Sequence, residues 1–165
     1  MRIYLPATFN LVQRLVTEGE LGPAPLTAFA VTQGLREWYV DDDLDELEYA
    51  AAREAARASL RLIDADPTTP RRRVVISADV ADGDVAIRDD LDRGVVSLTS
   101  VLPLTAVACA HVDDEDAAAA VGAAATAILE ADLGDAQAEE VVDDAEGYEL
   151  SWYDRQELSL LAQLQ

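Results

Sequence analysis

The sequence predicts an α/β (or α+β) fold, a single globular domain over residues 1–165 with a mixed sheet of about five to six strands partly covered by helices. Three observations carry this expectation. Apolar residues alternate with period two in several short runs and recur every three and four residues in longer ones, so strands and helices share the chain. Strand and helix patterns alternate through the first half, whereas strand patterns run consecutively in the second. Hydrophobic residues make up 50% of the 165, and a chain of this length buries about two thirds of its unfolded surface around one core.

Arg2–Ala7 opens as a strand, with Ile3 and Leu5 on one side and Tyr4 on the other. Thr8 supplies an N-cap hydroxyl for a helix that carries Phe9, Leu11, Val12, Leu15 and Val16 and ends at Gly19. Gly22-Pro23-Ala24-Pro25 is a stiff connection into a buried strand, Leu26–Val31. Thr32 caps a short helix bearing Leu35, Trp38 and Tyr39, and the acidic run Asp41-Asp42-Asp43 separates it from the longest helix. There Leu44, Leu47, Ala51, Ala55, Ala58, Leu62 and Ala65 make one stripe and Tyr49, Ala52, Ala56, Leu60 and Ile63 a second, which predicts burial on two sides. Asp66-Pro67 ends this helix, because the residue before a proline is pushed out of helical dihedrals.

Val74–Val80 alternates as a strand and Asp82-Gly83 marks a turn. Val95–Val101 and Ala106–Val112 read as two further strands, with Pro103 outside the ladder or at its edge. Asp113 to Asp116 place four carboxylates at the start of an Ala-rich helix, where the macrodipole favours them. The apolar face of that helix is thin, at Val121, Ala125, Ile128 and Leu129, and Gly122 weakens it by about 1 kcal/mol relative to Ala. Asp132–Gly147 is acidic and weakly periodic and reads as a loop with one loose helix. Tyr148–Tyr153 reads as a last strand and Gln156–Leu164 as a short closing helix.

The formal charge is −21, from 33 carboxylates against 12 basic residues, all of them arginine. Charge is also sorted along the chain: Gly94 to Asp154 holds fourteen carboxylates and no arginine, while six of the arginines lie between Arg53 and Arg73. Such a surface repels phosphate backbones, which disfavours nucleic acid as a partner. Either a GC-rich genome, which favours Ala, Asp and Arg over Lys, or a high-salt cytoplasm, which favours a carboxylate surface, produces such a composition, and the Ala richness points to the first. The lone Cys109 excludes an internal disulfide and the lone His111 excludes any metal site that needs two imidazoles, so no cofactor and no resident metal is expected. The start MRIYLPAT lacks the basic flank and long apolar run of a signal peptide. No stretch reaches about 18 uninterrupted apolar residues, so no membrane span and a cytoplasmic location are expected.

Several strings carry a resemblance. They are RIYLPAT at residues 2–8, LTAFAVT at 26–32, LREWY at 35–39, ELEYAA at 46–51, ARASLRL at 56–62, RRRVV at 71–75, HVDD at 111–114, and the terminal WY followed by QEL. Together they resemble a family of small, uncharacterised actinobacterial proteins that carry a domain of unknown function. The resemblance spans nearly the whole chain, implies one domain in a bacterial cytosolic setting, and brings no catalytic residue or ligand.

Three constellations are candidates for chemistry. Arg71, Arg72 and Arg73, near Arg53, Arg57 and Arg61 at i, i+4 spacing, supply guanidinium forks for phosphate or carboxylate. Against that, Glu54 with Arg57 and Arg61 with Asp64 read as local surface pairs. Cys109 and His111 share one strand face, with Asp113 at the strand end, which are the residue types of a thiolate–imidazole pair and its orienting carboxylate. Flanked by Ala106, Ala108 and Ala110, the cysteine reads equally as a small buried hydrophobe. His111 with Asp113 to Asp116 offers oxygen-rich ligation for Mg²⁺, which charge at a helix N-terminus explains as well. No Gly-rich phosphate loop, nucleophile elbow or paired-His motif is present.

Three functional readings follow. In the first, the chain is a non-catalytic cytosolic domain that binds another protein, or a second copy of itself, through Trp38, Tyr39, Trp152 and Tyr153; the same tryptophans also suit a core. In the second, it is an enzyme or binding domain for an anionic, phosphate-containing small molecule at Arg71 to Arg73, with a divalent metal near His111 and Asp113. In the third, it is an acidic mimic of nucleic acid that occupies a basic protein through the Asp113 to Asp154 segment.

Overall fold

The computed structural model describes residues 1–39 and 43–163; Asp41 and Asp42 of the acidic run and Leu164 of the closing helix lie outside the described residues. β1 (Arg2–Ala7) leads through Thr8 into α1 (Phe9–Glu18). The Thr8 side chain accepts from the Leu11 N–H at 3.2 Å, and Gly19 closes the helix at φ 78°, a left-handed conformation that glycine enters without a Cβ clash. A two-residue strand, β2 (Glu20–Leu21), precedes β3 (Leu26–Phe29), α2 (Gln33–Trp38) and α3 (Leu44–Ala65). Thr32 caps α2 and Asp43 caps α3 through their side-chain oxygens. Then come β4 (Val74–Asp79), β5 (Val85–Ile87), β6 (Val95–Leu98), β7 (Leu102–Pro103) and β8 (Val107–Asp113). The chain closes with α4 (Ala118–Asp132), α5 (Ala136–Glu146), β9 (Leu150–Asp154) and α6 (Leu158–Ala162).

Seven strands form one sheet in the order β5-β6-β3-β1-β4-β8-β9, and β2 pairs with β7 in a separate ribbon. The single domain of sheet and helices expected from the sequence is present. The ladders described are all antiparallel, so the sheet is not of the mixed kind in its detail. It is also wider than expected, because a segment as short as Val85–Ile87 shows no period of its own. Pro103 lies opposite Glu20 in the small ribbon, away from the main ladder that its missing N–H would interrupt.

Alternation divides the strand side chains between two faces. Ile3, Leu5, Val74, Ile76, Ala110 and Val112 pack with Phe9, Val12 and Leu15 of α1 and with Leu158 and Leu161 of α6. Tyr4, Phe29, Val75 and Val95 pack on the other face with Leu47, Ala51 and Ala55 of α3. Leu60 and Ile63, further along α3, pack with Val121, Ala125 and Ile128 of α4 and Val142 of α5. The helix with two apolar stripes is therefore buried against two partners.

The segment read as an acidic loop with one loose helix is mostly a regular, packed helix, α5. Asp135 caps this helix by accepting from the Ala138 N–H at 3.0 Å, and Ala138, Val142 and Ala145, spaced four and three, bury against α4. Alanines at the contact allow two helices to lie close while adding little to an apolar period, which is why the pattern looked weak. In β8, Ser77 pairs with Cys109 but Ala78 pairs with Val107, leaving Ala108 as an extra residue. This bulge sends Val107 into the α1-side core, while Cys109, His111 and Asp113 keep the α3 side of the sheet.

The arginines of α3 tie it to the two helices beside it. Arg57 donates to the two Glu139 carboxylate oxygens at 3.0 and 3.1 Å and to Asp132 at 3.3 Å, and Arg61 forks onto Asp132 at 2.6 and 2.9 Å. Arg61, then Arg57, holds the Asp132 carboxyl below its ordinary range, and Arg57 does the same to Glu139. Long-range partners replace the local i, i+3 pairs that the sequence suggested.

Candidate functional site

The three consecutive arginines do not converge. Arg71 donates to the Ile63 carbonyl at 2.6 Å and so closes the C-terminal end of α3. Arg72 lies over the Phe9 ring, 4.6 Å from its centroid, and its Nε donates to the Asp113 carbonyl at 2.9 Å. Arg73 is buried: its Nε and Nη2 fork onto the Asp113 carboxylate at 2.8 Å each, and Nη2 also donates to the Tyr148 carbonyl at 2.9 Å. The Arg73 backbone N–H donates to the same carboxylate at 2.7 Å. Each guanidinium holds the fold together where it lies.

That arrangement also separates Asp113 from His111. Both Asp113 oxygens are engaged by Arg73, while among the described residues the buried Nδ1 of His111 has no hydrogen-bond partner, and neither has the Ser77 Oγ. Cys109 is buried, with Ser77 as its cross-strand neighbour. Among the described residues no three His, Cys, Asp or Glu side chains are placed to hold a metal ion.

Of the four aromatics singled out in the sequence, Tyr153 packs against the α1-side core and Trp152 faces the other way, because consecutive strand residues point to opposite faces. The structure instead builds a groove along α3. One cavity of about 270 Å³ has Trp38, Tyr39, Arg53, Glu54, Asp92 and Arg93 in its walls. A second, of about 210 Å³ and more apolar, lies between α3 and the start of β9, walled by Tyr49, Ala52, Val75, His111, Tyr148 and Leu150. Arg53 and Glu146 border both cavities and form an ion pair at 3.5 Å between them. Trp152 is the cross-strand partner of His111 and so stands on the same face, beside the second cavity. Among the described residues the exposed aromatics are Trp38, Tyr39, Tyr49, Tyr148 and Trp152; the first four line the two cavities and Trp152 stands on the same sheet face, while Tyr4, Phe9, Phe29 and Tyr153 pack in the cores.

Sequence reasoning missed most of these walls. Tyr49 carried a signal, since a large ring in an alanine stripe is out of scale with its neighbours, but it was read as helix packing. Arg93 and Asp92 carried none, because only the fold brings their turn to α2, where the Arg93 guanidinium stacks 3.7 Å from the Trp38 ring centroid. Arg53 and Arg57 are turned toward Glu139, Glu146 and Asp132, so Glu54 has no ion pair among the described residues. Much of its side chain meets solvent, yet protein crowds the carboxyl enough that desolvation raises it above the ordinary range, with Asp92 as the next cause.

Burial lowers the His111 imidazole below its ordinary 6.5, which keeps the ring neutral at pH 7. An unfolded chain takes up this proton at the ordinary value and the fold resists it, so stability is expected to fall as pH drops through about 6.5 and toward the lower folded value. Proton NMR of the single imidazole measures the folded midpoint directly. A midpoint at or above 6.5, or an unchanged pH dependence in His111→Leu, would show that the ring is not desolvated by this wall.

No curated protein and no solved structure matches the chain. Residues 1–162, nearly all of the domain just described, match the family of unknown function DUF6912, and the chain belongs to that family.

Proposed function

We propose that this domain is a non-catalytic binding module whose ligand is another protein, held along the α3 groove. The observation that supports this reading is the placement of four of the five exposed aromatics in the walls of the two cavities, with the fifth, Trp152, on the same sheet face. Large rings with a polar edge carry much of the energy of protein interfaces. The two cavities, at about 270 and 210 Å³, are smaller than the roughly 300–1,000 Å³ of ordinary small-molecule sites and suit single side chains of a partner. A phosphate-binding role has less support, since Arg71, Arg72 and Arg73 serve internal acceptors. The lysine-free composition fits an actinobacterial source, a cytosolic setting is part of the same proposal, and among the described residues no helix is long and apolar enough to cross a membrane.

Trp38 and Trp152 are 61% and 59% exposed, so removing both rings takes little from any core. The Trp38→Ala/Trp152→Ala protein is expected to keep the wild-type unfolding curve and to lose its partner by more than about tenfold. Quantitative co-purification from the native cytosol, wild type against the folded double variant, is the test. Recovery of the same proteins in the same amounts by both would mean that the groove is not the interface.

A further inference from the structure

We infer that the groove takes an extended segment of its partner that carries an Arg or Lys beside an apolar side chain, the cation held by Glu54 and Asp92 and the apolar chain seated over His111. This rests on the binding-module reading and names the chemistry of the partner. The first cavity contains arginines and carboxylates, but most are already matched: Arg57 binds Glu139 and Asp132, Arg53 pairs with Glu146, and Arg93 stacks on Trp38. Glu54 and Asp92 are the carboxylates of that cavity without an ion pair among the described residues, and Trp38 and Tyr39 stand in the same walls. A guanidinium or ammonium entering there meets two acceptors and an aromatic flank, the surroundings that bind such cations best.

Two further features agree with a cationic occupant. The fold disfavours the charge on Glu54, through desolvation and through Asp92, and an incoming cation offsets both by direct attraction. Arg57 and Arg61 on α3 and Glu146 on α5 are the other charged groups that act on it, and the two arginines are held by Glu139 and Asp132. The formal charge of −21 attracts a basic segment from a distance and repels an acidic one. Beyond Arg53 and Glu146 the groove becomes apolar, with Ala52, Val75 and Leu150 around His111, which accommodates an uncharged side chain next to the cation.

The test uses short blocked peptides holding one Arg and one Leu separated by a few alanines, and matched peptides with Glu in place of Arg, titrated against the tryptophan emission of the whole protein. The Arg-Leu peptides are expected to give a saturable change, and the Glu54→Gln/Asp92→Asn protein is expected to bind them about tenfold more weakly. The control, Glu140→Gln/Asp144→Asn, removes the same two charges from exposed positions of α5 outside the groove and is expected to bind as the wild type does. Equal weakening in both variants would overturn the inference, because bulk charge alone would explain it. Binding of the Glu peptides as tight as that of the Arg peptides would overturn it in favour of Arg53 and Arg93 as the recognition groups. If no peptide binds while Trp38→Ala/Trp152→Ala still loses its cytosolic partner, the recognition chemistry is wrong and the binding-module reading stands.

Discussion

Asp113→Ala is expected to lower the stability of the fold by about 3–5 kcal/mol, because it leaves the Arg73 guanidinium buried without its counter-charge. The side chains of the pair are 3% and 0% exposed, so water cannot take the place of the lost carboxylate. The carboxylate also accepts the Arg73 backbone N–H, and Arg73 in turn donates to the Tyr148 carbonyl. One substitution therefore removes the side-chain tie between the start of β4 and the end of β8, while the backbone ladder between the two strands and the Arg73 donation to Tyr148 do not depend on that carboxylate. Replacing both partners with apolar residues, as in Arg73→Met/Asp113→Leu, removes the stranded charge but leaves the buried backbone N–H of position 73 unpaired, at roughly 1–3 kcal/mol, while the part-buried Tyr148 carbonyl can meet water. The double variant is expected to lie between Asp113→Ala and the wild type in urea unfolding. A wild-type midpoint for Asp113→Ala would mean that water reaches Arg73 and that the pair is not sealed.

Leu60→Ala is expected to cost about 2–5 kcal/mol, toward the upper end of that range. Leu60, on α3, is fully buried against the α4–α5 pair, in a cluster where Ala117, Ala124, Ala125 and Ala138 stand beside the β-branched Val121, Ile128 and Val142. Alanines have no side chain that can swing into the vacated volume, so the cavity persists unless whole helices move. Movement of α5 would displace Glu146, and with it the partition between the two cavities of the groove. Faster hydrogen exchange confined to α4 and α5, together with weaker partner binding, is the expected pattern. A loss below about 1 kcal/mol would show that the two helices pack on α3 through their ion pairs and not through this apolar contact.

Much of the local organisation was legible in the chain. Thr8 and Gly19 bracket α1, Thr32 opens α2, and Asp66-Pro67 ends α3 within a residue of the expected place. The two stripes of α3 correctly implied two buried sides. Elements that are short, or that make their contacts through alanine, escaped: β2, β5 and β7 hold too few residues for a period, and α5 buries mostly alanine. The candidate site was legible only in part. Trp38 and Tyr39 were singled out and line the groove, Trp152 shares its sheet face, and Tyr49, Tyr148, Glu54 and Asp92 complete the walls from other elements.

By itself the sequence determined what is local or summed over the chain. Caps, proline stops and alternation act within a few residues, and a net charge of −21 does not depend on folding. Only the tertiary structure decided which acceptor each arginine meets, that Asp113 faces Arg73 and leaves His111 unpartnered, and that Trp152 and Tyr153 part to opposite faces. It likewise decided that four exposed rings from different elements line one groove. These outcomes depend on strand order, register and one bulged residue, which join positions far apart in the chain and which connection lengths leave open.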